Sequence, residues 1–356
     1  MSISFDLFLL DGRDGNSLLA LGRRGADTAI EQIAFNDTLD RLVHFGRRLG
    51  HSVSGSGRRP TPAELKNFGR ELFSFIFPGS LQEMYDQLPA GQISLQILSD
   101  HPAIREVPWE YIAPHNVPII PHRNRSVVRV HPTCGVYQPP RKRFSKLRIL
   151  LVSADPIDQQ GVPLDEVLST MKRKFELFPG QVEVQVVAGA TRKGLMTALM
   201  QGNFDVFHFY GHGEVDSNGV GSLVLEDAKT GRSDRVPALQ LAVALAGKGI
   251  QLAILSACNT GAGNHANEFD VVSTALIKAG IPAVIANQHP IPTETIASFV
   301  STVYVSLLNQ GDIDMAVAEG RSSLAVTLED TTASAVLEWG IPVLYRLSDA
   351  RQLFEI

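Results

Sequence analysis

Five short apolar runs dominate the chain from residue 147 onward: LRILLVSA (147–154), QVEVQVVAG (181–189), FDVFHFYG (204–211), IQLAILSAC (250–258) and IPAVIANQ (281–288). Stretches of helical periodicity separate them, at about 164–178, 192–202, 237–248 and 270–280. Strands that are apolar nearly throughout cannot have a wet face, and strand–helix alternation supplies the covering layers. The expected fold class is therefore α/β, a mostly parallel central sheet covered by helices on both faces. Two further helices, near 293–310 and 313–329, and a last strand, PVLYRL (342–347), complete that half. The pattern before it is mixed. A strand at 3–10, an amphipathic helix around 30–49, a Gly/Ser/Arg/Pro turn at 51–62, a helix around 63–76, a strand at 92–98 and a Pro-rich passage at 102–140 are expected. The resulting division is a strand–helix extension (1–60), an N-terminal subregion (61–146) and a core (147–356).

Bulk properties remove several function classes. A net charge of −5 with 19% charged residues gives no polyelectrolyte surface for nucleic acid. The local run Arg141-Lys142-Arg143, with Lys146 and Arg148, follows Pro139-Pro140 and reads as a solvated linker. No apolar stretch reaches the ~18 to 20 residues of a membrane span. The N-terminal MSISFDLFLLDGRDG has no basic region ahead of its apolar run and breaks at Asp11-Gly12, so a strand is expected and not a signal peptide. Two cysteines, Cys134 and Cys258, make no disulfide framework, and a reducing, cytoplasmic setting is expected. There is no GxxxxGK[ST], GxGxxG after the first strand of the regular half, HExxH or GxSxG.

In parallel sheets, function collects beyond the carboxyl ends of the strands. His212 stands at the end of one expected central strand and Cys258 at the end of the next, so both side chains can emerge on one edge. A thiol needs a base or positive field to act as a nucleophile at neutral pH, and a nearby histidine supplies it. The glycines flanking His212 allow a sharp exit from the strand and close approach of a substrate carbonyl. The N–H groups of Gly213 and Cys258 can then form an oxyanion hole. The alternative is structural: a cysteine after ILSA as a small buried hydrophobe and a strand-end histidine as a packing residue. His208, inside an apolar run, is expected to be a satisfied core residue, and Asp205 a strand-start residue. A metal site from His208, His212, Cys258 and His289 is loose in spacing.

FDVFHFYGHGE, GSLVLED, IQLAILSACNTG and the long stretch from ALIKAGIPAVIANQHPIP to MAVAEGRSSL, taken in order, resemble a CHAT domain, of the caspase-like cysteine peptidases related to separase. VPWEYIAP (107–114) and SVVRV (126–130) are similar to the family's N-terminal portion, and FGRELFSFIFPG (68–79) and LEWGIPVLYRL fit its shorter prokaryotic members. The resemblance implies a three-layer caspase-like fold and a cysteine endopeptidase with His212 as base and acid, Cys258 as nucleophile, and Gly213 with Cys258 as oxyanion donors. It implies no cofactor and no metal, a protein substrate, no direct contact with nucleic acid or membrane, and a separate activating or sensor protein, because the repeat or sensor modules often fused to this domain are absent here. A defence or programmed-death role is a family expectation. Glu268 and Asp270 are candidates for an acidic specificity pocket, against the alternative that a carboxylate caps the following helix. Gln288 is a third pocket candidate, since Gln288 and His289 fall where many members carry Leu-Trp. A catalytically silent module of the same fold and other thiol-dependent acyl chemistry are the competing readings.

Overall fold

A computed structural model of the protein describes residues 3–53, 57–89, 91–99, 101–114, 125–131, 146–159, 161, 163–257, 268–289, 291–327 and 335–355. The chain opens with β1 (Ile3–Asp11), β2 (Ser17–Arg24), β3 (Asp27–Ala34), α1 (Asp37–Val53), α2 (Pro62–Ile76), α3 (Gly79–Asp86), β4 (Ile93–Leu98), α4 (Pro102–Glu106), a 3-10 turn (Trp109–Tyr111) and β5 (Arg125–His131). It continues with β6 (Leu147–Ser153), α5 (Leu164–Phe175), β7 (Val182–Val187), α6 (Arg192–Gln201), β8 (Val206–Val215), β9 (Gly221–Glu226), β10 (Ser233–Pro237), α7 (Ala238–Leu245) and β11 (Leu252–Ala257). The last elements are α8 (Glu268–Lys278), β12 (Ala283–Asn287), α9 (Thr293–Gln310), α10 (Ile313–Thr327), α11 (Ala335–Glu338) and β13 (Pro342–Leu347).

One sheet runs through all of this, in the order β7-β6-β8-β11-β12-β13-β5-β4-β1-β2-β3. β7, β6, β8, β11 and β12 are parallel to one another. β13 runs against β12 and with β5, so the C-terminal strand is the seam between two parallel blocks of opposite direction. Helices α5, α9 and α10 pack together on one side, and α6, α7 and α8 on the other. The expected α/β class with a mostly parallel, doubly covered sheet is the observed one.

Two local expectations are corrected. The segment 17–34 is a β2–β3 hairpin, which continues the sheet antiparallel from β1, and the helix expected from about residue 30 starts at Asp37. In DTAIEQIA only Ala29 and Ile33 are buried, a spacing that also fits a helix face, and pairing with β2 decides it as strand. The second correction concerns Gly211-His212-Gly213. The strand does not exit there; β8 continues to Val215, leaving the parallel sheet and pairing antiparallel with β9.

Candidate active site

The site is built on the ladder between β8 and β11. In it Tyr210 is opposite Ser256 and Gly211 opposite Ala257. His212 follows Gly211, still within β8, and is 7% exposed. Cys258 follows Ala257 and lies outside the described residues, as do Cys134 and most of the segment before Glu268.

Gly211, the residue before His212, is tightly packed. A Cβ at that position would stand 2.7 Å from the Phe209 ring and 3.1 Å from the backbone oxygen of Ala154, which follows β6. Three strands, β6, β8 and β11, therefore close on the point from which His212 emerges. Asp205 ties their opposite ends. Its carboxylate accepts from Arg148 N at 2.8 Å, and its carbonyl accepts from Gln251 N and Leu252 N. That makes it a strand-start residue, as expected, at the far end of β8 from His212.

Side chains alternate along β8, placing His208 and Tyr210 on the α9 face. His208 Nε2 lies 3.1 Å from Ser256 Oγ and its Nδ1 3.1 Å from Tyr304 Oη on α9. Burial pushes the His208 imidazole down to about 3, so it is neutral, and both ring nitrogens are engaged. This removes His208 from any metal-ligand set and makes it the brace beneath the end of β11. Tyr210 Oη donates to Thr293 Oγ1 at 3.2 Å, anchoring the start of α9 to the same edge.

The pocket candidates meet different surroundings. Asp270, in the first turn of α8, is paired with Arg105 of α4, whose guanidinium also donates to Thr274 Oγ1 at 2.9 Å. Gln288 accepts from Arg129 Nη2 at 3.0 Å and donates to Glu110 Oε2 at 2.9 Å and to the Gly340 carbonyl at 2.7 Å. Glu110 is fully buried, 3.0 Å from Arg129 and 3.9 Å from the buried Arg321. Gln288 is thus held by an ionic cluster beneath the sheet edge. Glu268 begins α8. Gly213 lies opposite Leu223 in the β8–β9 ladder.

Sequence reasoning passed over Asn287, the last residue of β12. It is 6% exposed, yet neither its Oδ1 nor its Nδ2 has a hydrogen-bond partner among the described residues. His289 Nε2 is buried and unpartnered as well; burial, with the charges of Arg129 and His51, pushes that imidazole down to about 3. The only trace of Asn287 in the sequence is a polar residue closing the run AVIA. Among the described residues no group of three His, Cys, Asp or Glu side chains is arranged to hold a metal ion, and no helix is long and apolar enough to cross a membrane.

No match was found among curated protein sequences. Similar solved structures include a chain of the Saccharomyces cerevisiae separase–securin complex, seen at 3.0 Å (12% identity, TM-score 0.48) and at 2.6 Å (11% identity, TM-score 0.49). Each alignment covers 97% of this chain and 30% of that one, so the chain spans less than a third of that relative's length. Caspase-1 from Spodoptera frugiperda is similar over 60% of this chain and 95% of its own, with 11% identity and a TM-score of 0.37. The family model of the CHAT domain matches residues 66–346, which takes in every element from within α2 to β13 and both strands that lead to His212 and Cys258. This chain belongs to the CHAT domain family.

Proposed function

We propose that the protein is a cysteine endopeptidase in which His212 and Cys258 act as a dyad. The observation that supports the reading is the Gly211–Ala257 register, a pair on adjacent parallel strands whose members directly precede His212 and Cys258 in the sequence. Membership of the CHAT family supports it.

In this mechanism His212 takes the thiol proton of Cys258. The thiolate sulfur attacks the carbonyl carbon of the scissile peptide, and the developing oxyanion is met by the N–H groups of Gly213 and Cys258. The C–N bond breaks and the amine leaves with the proton from His212. Water, deprotonated by His212, then hydrolyses the thioester to a carboxylate and restores the thiol. A dyad needs no third carboxylate. Among the pocket candidates, Asp270 is committed to Arg105 and Gln288 to the Glu110–Arg129 pair.

The test is cleavage of a proteome-derived peptide library by the full chain, read by mass spectrometry of new N-termini. New termini with a shared residue before the cut, absent with Cys258→Ala, support the proposal. Identical cleavage by Cys258→Ala and wild type overturns it.

A further inference from the structure

Helices α1 and α2 enclose an open groove of about 570 Å³. Its floor is aromatic. Phe45 and Phe68 stack at 4.4 Å between centroids with 11° between planes, and the Arg48 guanidinium lies 5.0 Å from the Phe45 ring centroid. Its rim is acidic. The two arginines that line it are used internally, Arg41 with Glu71 and Arg48 with Glu64, whereas Asp37 and Asp40 are exposed and make no ion pair among the described residues. The groove therefore presents an apolar floor at one end and, in the first turn of α1, two exposed carboxylates at the other, with the exposed His44 between them.

We infer that this groove docks a segment of a separate protein carrying a lysine or arginine and, one to two helical turns away, an aromatic or branched apolar side chain. The cation meets Asp37 and Asp40, and the apolar group covers the Phe45–Phe68 stack. The spacing follows from the rise of α1, which sets Asp40 about 7 Å and Asp37 about 12 Å along the axis from Phe45. Charge complementarity selects the occupant: a neutral apolar segment leaves both carboxylates unanswered, and an acidic one is repelled.

The position of α1 gives the docking a consequence. α1 lies outside residues 66–346, which the family model matches, whereas most of α2 lies inside them. Arg47 of α1 pairs with Glu106 of α4, and the neighbouring Arg105 holds Asp270 at the start of α8, the helix that follows the Cys258 segment. Two residues past Arg48, Gly50 packs against the His289 ring, where a Cβ would come within 2.8 Å of Nδ1. The groove is thus wired to both segments that flank the candidate site. That a docked partner alters Cys258 chemistry rests on the peptidase reading; the docking does not.

The experiment is selection of a random 12-residue peptide library on the full chain, with binding of enriched peptides then measured to wild type, Asp37→Asn/Asp40→Asn, Phe45→Ala, and the control Asp165→Asn/Glu166→Gln on α5. The expected result is enrichment of peptides with a cation spaced from an apolar residue, binding weakened at least fivefold by both groove variants and by added salt, and unchanged in the control. Enrichment of peptides without a cation, or equal binding by wild type and the groove variants, overturns the inference. So does concentration-dependent self-association that the groove variants abolish, since the occupant is then a second copy. Binding is read without any peptidase assay, so an inactive enzyme leaves the test intact.

Discussion

Gly211 and Ala257 face each other across the parallel ladder between β8 and β11, and each is the residue before one member of the proposed dyad. How firmly the strands around that pair are held is open to test.

Gly211→Ala adds a methyl group with no room for it, against the Phe209 ring and the Ala154 carbonyl. Relaxation must part β6 from β8, beside the site. Loss of about 1 to 3 kcal/mol in urea unfolding is expected, together with slower modification of Cys258. A fully stable variant would show that the strands do not close as tightly as described.

Tyr304→Phe leaves the Nδ1 of the buried His208 without a partner. The expected cost is about 1 to 3 kcal/mol. Ser256→Ala does the same to Nε2, and the double variant should cost less than the sum of the two, because both act on one ring. Equilibrium unfolding of the three variants checks this.

Stability should fall on the acid side. His208 and His289 are each pushed down to about 3, burial being the main cause, from an ordinary value of 6.5. The folded protein thus binds fewer protons than the unfolded chain below about pH 6.5. The stability contributed by keeping these rings neutral is complete above that pH and is lost as pH falls toward 3, by about 1.4 kcal/mol per pH unit for each histidine. Urea unfolding at pH 7 and pH 5 should show the slope, and His208→Gln should make it shallower.

Glu110→Gln removes the carboxylate that neutralises Arg129 and lies beside Arg321, both inside the protein. Stranding a buried charge costs about 3 to 5 kcal/mol. Because Gln288 hangs on the same carboxylate, the segment after β12 should loosen first. Hydrogen exchange at residues 287–289 is the measurement that separates local loosening from global unfolding.

Much of this architecture is legible in the sequence because buried parallel strands announce themselves. LRILLVS, LAILSA and AVIAN are apolar enough to demand two covering layers, and α9 and β13 fall where periodicity places them. The β2–β3 hairpin is missed because its apolar residues are too few to fix a period, and pairing with β1 supplies what the local pattern lacks. The Gly-His-Gly stretch is read as an exit because glycine usually ends a strand. Here Gly211 serves close packing, and the strand survives by changing neighbours, a choice made by β9 some ten residues away. Asn287 and the Arg129–Glu110–Gln288 cluster are invisible in the sequence, since their character depends on partners, or the lack of them, brought from distant elements.

The central claim is that His212 activates Cys258. Its most direct measurement is the rate of alkylation of each cysteine by iodoacetamide against pH, resolved by mass spectrometry, in wild type and His212→Ala. The account predicts that Cys258 reacts well ahead of Cys134 near neutral pH and that His212→Ala slows Cys258 alone, moving its reaction toward the ordinary thiol range near pH 8.5. Equal rates for the two cysteines, or a Cys258 profile unmoved by His212→Ala, would contradict it.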